Sequence, residues 1–227
     1  IVENNQITDS GGYGIYLTGS NGNTISNNTI KDSDDDGIYL DGSDDNIISN
    51  NTIKDNDNHG IYLADSGSNN ISNNTIKDNG GAGIDLSGSD GNTISNNTIE
   101  GTEDSASAGI FVGTSDDNVI KNNTFKDIEG NDIYLSASDS NTISDNTIYH
   151  VCDCTDYDGR GIYLTNSDSN TIFNNNINDK GIDGIFLTGS DSNTISNNMI
   201  EDIGNGIYVT SSSDDNIINP NKLPHHD

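Results

Sequence analysis

Six side chains of this 227-residue chain have types and repeat positions suited to chemistry on a bound molecule: Asp36, Asp41, His59, Asp85, Arg160 and Asp183. His59 and Asp85 fall on adjacent repeats, where a proton could pass between them, and Arg160 is the only arginine. Acid–base work on a polysaccharide needs two placed carboxyls, or a base beside a group that neutralises a uronate. If the chain is an enzyme, His59, Asp85, Arg160 and Asp183 are the catalytic candidates. A lone arginine among acids is more often a salt-bridge partner, and the reading leans away from an enzyme.

Two further groups could hold metals or form covalent links. Asp44, Asp90, Asp116, Asp139, Asp168 and Asp191 recur at one repeat position, with Asp214 close to register. Carboxylates about 5 Å apart repel by roughly 3 to 4 kcal/mol at a protein surface, so such a column attracts cations. Oxygen-only turns of Asp, Asn and Gly suit calcium, although the spacing matches no EF-hand loop. Calcium is therefore the one cofactor expected, and no organic cofactor is. Cys152 and Cys154 sit in the longest insertion, "YHVCDCTDYDGR", and read as a local or intermolecular disulfide rather than a metal site.

A contact face is the third candidate. Tyr16, Tyr39, Tyr62, Phe111, Tyr134, Tyr163, Phe186 and Tyr208 recur between inward apolar residues, with Asp85 the one non-aromatic member of the column. Three uses fit such a stripe. Stacked rings support a strand ladder, ring faces hold sugars, or the stripe joins one rod to another.

What must position these residues is a repeat. The residue before each "GIYL"-like segment falls at Gly14, Gly37, Gly60, Gly83, Gly109, Asp132, Gly161, Gly184 and Gly206, in steps of 23, 23, 23, 26, 23, 29, 23 and 22. A fixed period of this length means a solenoid. Within one line, Ile15-Tyr16-Leu17, Thr24-Ile25-Ser26 and Thr29-Ile30-Lys31 alternate apolar with polar residues, and Asn, Gly, Asp and Ser separate them. That pattern predicts three short strands per line, each pairing with its equivalent one line later at about 4.8 Å. Four inward columns form the core: Ile15 to Ile207, Leu17 to Val209, Val2 through Ile25 to Ile218, and Ile30 to Leu223. The fold class is all-β, a single-stranded right-handed parallel β-helix of about nine coils.

Asparagine ladders are expected at the corners. Asn28, Asn51, Asn74, Asn97, Asn123, Asn146, Asn175 and Asn198 recur in every line, as do Asn23 and its equivalents. The side-chain amides can bond to copies above and below, and Asn accepts the left-handed backbone of a tight corner.

These "N-x-I-x-N-N-x-I" and "G-I-x-L" lines resemble the parallel β-helix repeats of the pectate-lyase superfold, in the version found in NosD-like and other surface or periplasmic proteins. The resemblance covers the whole chain. It implies the fold and leaves activity open, since the scaffold hosts lyases, hydrolases, epimerases, adhesins and structural proteins. The "GHG" and "RIK" motifs of polygalacturonase-like enzymes and the "DPH" of alginate epimerases are not present in the sequence.

Composition bounds the rest. Hydrophobic residues make up 29% and mean hydropathy is −0.65, which four narrow core columns can accommodate. Asp and Glu total 37 against 8 Lys and Arg, a net charge of −29, so nucleic acid is excluded as a partner. No apolar run suits membrane insertion. The chain reads as one domain, 1–227, starting in mid-coil, as a piece of a longer precursor or an open-ended stacking unit would. Residues 220–227 form a blunting segment, in which Pro220 and Pro224 remove backbone donors. The expected function is that of an extracellular structural or adhesive β-helix: a cell-surface, sheath or filament component, cation-stabilised, with the ring stripe as contact face and self-association or other surface proteins as partners. The alternative is a module that binds or cleaves polysaccharide on the same face.

Overall fold

A computed structural model of the chain describes residues 1–102, 107–151, 159–178, 181–201 and 204–223. Cys152, Cys154 and Pro224 lie outside the described residues. Each line contributes three strands, and equivalent strands pair in parallel to make three long sheets of ten, nine and nine strands. One, the tyrosine sheet, runs from Ile15–Thr18 to Asn205–Val209. The ten-stranded sheet runs from Val2–Glu3 to Ile217–Ile218, and the third from Gln6–Thr8 to Met199–Glu201. The register is the one the repeat dictates: Tyr16 pairs with Tyr39, Ile25 with Ile48, and Ile30 with Ile53. A slip of one residue would turn every inward isoleucine to solvent.

All four predicted columns line the interior, and from Ile25 to Ile195 their members are almost all completely buried. Only the ends depart. Ile218 and Leu223 are exposed because no further described coil covers them. Pro220 accepts the Asn197 amide through its carbonyl, and Lys222 bridges Met199, so the last coil is still paired. Among the described residues, no helix is long and apolar enough to cross a membrane.

At the corners, one expectation needs correction. The left-handed residue is not Asn28 or its equivalents but the one before: Asn27, Asn50, Asn73, Asn96, Asn122, Asp145, Asn174 and Asn197 all have φ between 55° and 58°. The second Asn of each "NN" pair instead turns inward and is buried. Its side-chain amide donates to the Oδ1 of the next copy, as Asn28 does to Asn51 at 3.0 Å, and that same Oδ1 accepts the Asn28 backbone N–H at 2.9 Å. A left-handed residue carries its side chain outward, so a single position cannot both make the turn and plug the corner. Asn46 and its equivalents also follow a left-handed Gly, Asp or Ser, and each accepts the backbone N–H of the preceding copy through Oδ1, as Asn46 does from Asn23 at 2.7 Å. Their side-chain amides turn instead to backbone carbonyls where they are paired, as Asn69 does to Ser43 at 3.1 Å.

A serine ladder lay hidden in the repeat. Ser43, Ser66, Ser89, Ser115, Ser138, Ser167 and Ser190 are fully buried, and each accepts the backbone N–H of the preceding copy, as Ser66 does from Ser43 at 2.9 Å. The signal was the unvarying Ser two residues after each tyrosine-sheet strand, which looks like an ordinary turn former.

Candidate functional site

Five of the six candidate residues, all but Asp41, fall on two neighbouring columns of the tyrosine sheet. One is the ring column. The other precedes the glycine corner and reads Tyr13, Asp36, His59, Ala82, Ala108, Asn131, Arg160, Asp183, Asn205. The strand pairing places Asp36, His59, Asp85, Arg160 and Asp183 along this sheet, and their spacing splits them into two clusters.

The C-terminal cluster is a closed ion pair. Arg160 Nε donates to Asp183 Oδ2 at 3.0 Å, and Asp183 Oδ1 accepts from Asn205 Nδ2 at 2.7 Å. The guanidinium lies over Phe186 and Tyr163, 4.3 and 5.0 Å from their centroids. Paired and covered in this way, Arg160 holds the coil stack together.

The N-terminal cluster is open. His59 Nδ1 accepts the Ala82 backbone N–H at 2.9 Å, so the neutral ring carries its proton on Nε2. That nitrogen faces Asp85 Oδ2 at 3.7 Å, too long for a hydrogen bond. Asp85 Oδ1 accepts from Ser87 at 3.2 Å, and Asp36 Oδ1 accepts the His59 backbone N–H at 2.9 Å. Asp36 is 1% and Asp85 8% exposed. Burial is the main cause that pushes the Asp36 carboxyl up to about 7, with Asp35 and Asp85 adding to it, and burial pushes Asp85 up to about 6. Burial also lowers His59, against the pull of Asp35. Asp41 stands apart from both clusters and accepts from the Tyr16 hydroxyl at 3.1 Å.

The rings stack along the solenoid axis in two blocks. Tyr16, Tyr39 and Tyr62 are 5.1 and 4.9 Å apart and within 16° of parallel, and Tyr13, which the column reading missed, packs 4.9 Å from Tyr39. Phe111, Tyr134, Tyr163, Phe186 and Tyr208 form the second block, in which Tyr134 and Tyr163 are stacked, 4.7 Å apart and 4° from parallel, and the other three contacts are tilted by 41° to 58°. Only Tyr16 and Tyr208, at the ends, are as much as 47% and 49% exposed. Rings stacked face to face hide their faces from a ligand and show only edges to solvent. For Tyr16, Tyr39 and Tyr62, and for Tyr134 with Tyr163, ladder support is thus the role this geometry suits.

Between the blocks the small Asp85 replaces a ring, and a cleft of about 200 Å³ opens there. Its walls are His59 and Ala82 on one side and Phe111, Tyr134, Ser107 and Ala108 on the other, with Asp85 between them. His59 in turn leans on Tyr62, 5.4 Å between centroids. This is where an aromatic wall, a buried carboxylate and a histidine of fixed tautomer converge.

The Asp column lies elsewhere, at the first turn of each line. Asp90, Asp116, Asp139, Asp168 and Asp191 each accept the backbone N–H of the next Asp through Oδ1, at 2.6 to 2.8 Å, and Asp44 accepts that of Gly67. Each carboxylate is thereby half satisfied by an amide dipole. Among the described residues, no group of three or more His, Cys, Asp or Glu side chains could hold a metal ion, whereas calcium takes six to eight oxygens. Diffuse attraction of counterions suits this geometry better than a cage. At matched ionic strength, calcium and sodium are therefore expected to raise the thermal midpoint equally. A calcium-specific rise that chelator reverses would instead reveal ordered sites.

The sequence pattern described as "Right handed beta helix region" matches residues 1–106 and 93–223. No curated protein matches the chain in sequence. Among solved structures, the periplasmic alginate epimerase AlgG is similar at 18% identity and TM-score 0.66, over 97% of this chain and 49% of the other. The Dettilon tailspike protein gp208 is similar at 16% identity and TM-score 0.78, over 98% and 54%. The A-module of the mannuronan C-5 epimerase AlgE4 of Azotobacter vinelandii is similar at 15% identity and TM-score 0.58, over 97% and 79%. The chain spans about half the length of the first two. At these identities the likeness is one of fold.

Proposed function

The chain belongs to the right-handed β-helix family, and from that premise we propose that it is an extracellular or cell-surface adhesive β-helix that grips a polysaccharide at the Asp85 cleft. The observation that carries this reading is the break in the ring column, where a ring wall, a buried acceptor and an open cleft meet on one sheet face. Such a combination of aromatic lining with a few fixed polar groups is what small-ligand sites use. Similar folds include epimerases of alginate and mannuronan and a phage tailspike, which favours a polysaccharide or a surface role. The net charge of −29 opposes a polyuronate, because a polyanion is repelled over a screening length of about 8 Å at physiological salt. Neutral or amine-bearing glycans fit.

Titration with neutral, uronic and amino-sugar tetramers tests this. At least one non-uronic tetramer is expected to bind with one ligand per chain, and Phe111→Ala to weaken it about tenfold through loss of the wall, equivalent to roughly 1.4 kcal/mol. Tyr39→Ala, in the middle of a closed ring block, is expected to leave binding unchanged. The reading fails if no tetramer binds, or if both variants weaken binding alike. Lateral association of rods through the stripe would show instead as sedimentation coefficients that rise with protein concentration.

A further inference from the structure

The cleft selects its ligand by charge as well as by shape. We infer that it is a subsite for an amine-bearing sugar ring, with Asp85 Oδ2 as the atom that receives the ammonium group; this rests on the polysaccharide-binding reading above. Three observations lead there. First, ring-sheet strands are spaced at about 4.8 Å, so omitting one ring leaves room for one flat, largely apolar ring between the His59 side and Phe111. The slot has a shape, and a sugar ring or its equivalent fills it.

Second, among the described residues Asp85 Oδ2 has no close partner. Ser87 serves the other oxygen, and His59 Nε2, at 3.7 Å, is beyond hydrogen-bond distance. A carboxylate that is 8% exposed and short of one donor gains most from a charged donor, since a charge-assisted bond is about twice as strong as a neutral one. Third, the surroundings are acidic, with no compensating cation among the described residues. Asp36 and Asp35 lie one and two residues from the glycine corner two coils away, and both interact with the groups of this cluster. The one arginine is committed to Asp183, and the described lysine ion pairs, at Lys31, Lys54, Lys77 and Lys126, all engage residues of the third sheet or its turn. A ligand cation is what this corner lacks. A neutral hydroxyl would satisfy Oδ2 but leave the excess negative charge as it is, and an N-acetyl group would bring no charge and more bulk.

The test uses calorimetric titration of the whole chain with three tetramers: fully deacetylated glucosamine, its N-acetylated form, and the neutral cello-oligosaccharide. The glucosamine tetramer is expected to bind at least tenfold tighter than the other two. Asp85→Asn should abolish that preference while keeping the weaker neutral binding, and Asp85→Tyr, which restores the missing ring, should abolish binding of all three. A preference that survives Asp85→Asn would come from the general charge of −29 and would overturn the inference. Equal binding of all three tetramers by the native chain would overturn it too, while leaving the polysaccharide reading standing. Binding of none would sink both.

Discussion

Asn97→Ala is expected to destabilise the chain by about 4 kcal/mol, although the residue is no part of any candidate site. Its Oδ1 accepts both the backbone N–H and the side-chain amide of Asn74, at 2.9 and 3.0 Å, and its Nδ2 donates to Ile71 O and Asn123 Oδ1. Truncation removes four hydrogen bonds from a corner with 1% exposure and leaves the Asn74 N–H buried without that acceptor. An orphaned buried donor costs about 1–3 kcal/mol and each lost bond roughly 1. For a chain of this length that is a fall of roughly 10 °C in the midpoint. The neighbouring Asn96, left-handed and exposed, should tolerate Gly with a change of only a few tenths of a kcal/mol. Urea denaturation of the two variants decides the matter. A loss below about 1 kcal/mol at Asn97, or equal losses at both positions, would show that the ladder does not hold the corner.

Acidification is expected to stabilise the fold, the reverse of ordinary acid denaturation. Asp36 and Asp85 are held up to about 7 and about 6, against 3.8 for a free Asp side chain, chiefly by burial. The folded chain therefore binds these protons more tightly than the unfolded chain. Their contribution is fully favourable below about pH 4 and is lost as pH rises through about 6 and then about 7. A tenfold difference in proton affinity is worth about 1.4 kcal/mol, so the Asp36 contribution is on the order of 4 kcal/mol. His59 works the other way: its lowered value gives stability that is lost on acidification, as the buried ring must charge.

Asp36→Asn isolates the effect. The amide keeps an oxygen for the His59 N–H, which Asp36 accepts at 2.9 Å, and removes the buried charge. At pH 8 the variant is expected to be more stable than the native chain by about 2 kcal/mol. Between pH 5 and 8 its stability should vary less. Thermal unfolding of both chains at several pH values across that range, at constant ionic strength, measures this. Native stability that rises steadily from pH 5 to 8, or an Asp36→Asn chain less stable at pH 8, would mean that Asp36 is not held as a desolvated carboxyl. The wider self-repulsion of a chain at −29 also eases on acidification, but it acts on the variant and the native chain alike.

Much of this molecule was legible as text, and the reason is stacking. When every coil repeats its predecessor, identical residues pair in register, and an inward column, an Asn ladder or a ring column can be read by writing the lines above one another. The three sheets, the four core columns, the buried Asn ladder and the placement of His59, Asp85, Arg160 and Asp183 on one face follow from that periodicity. Its limits lie perpendicular to the columns. Which of two adjacent asparagines turns the backbone and which plugs the corner depends on φ, and a two-letter repeat does not encode it. Whether the rings offer faces or edges depends on their tilt within the stack. The Asp85 gap, read along its own column, is a missing tyrosine. It becomes a cleft only because the neighbouring column places His59 and Ala82 beside it and Phe111 and Tyr134 across from it. The same pairing of columns closes Arg160 onto Asp183. Repetition thus determined the scaffold and its faces. Contact between different columns, which rests on side-chain direction at each corner, decided which of the candidate residues meet a ligand and which meet only each other.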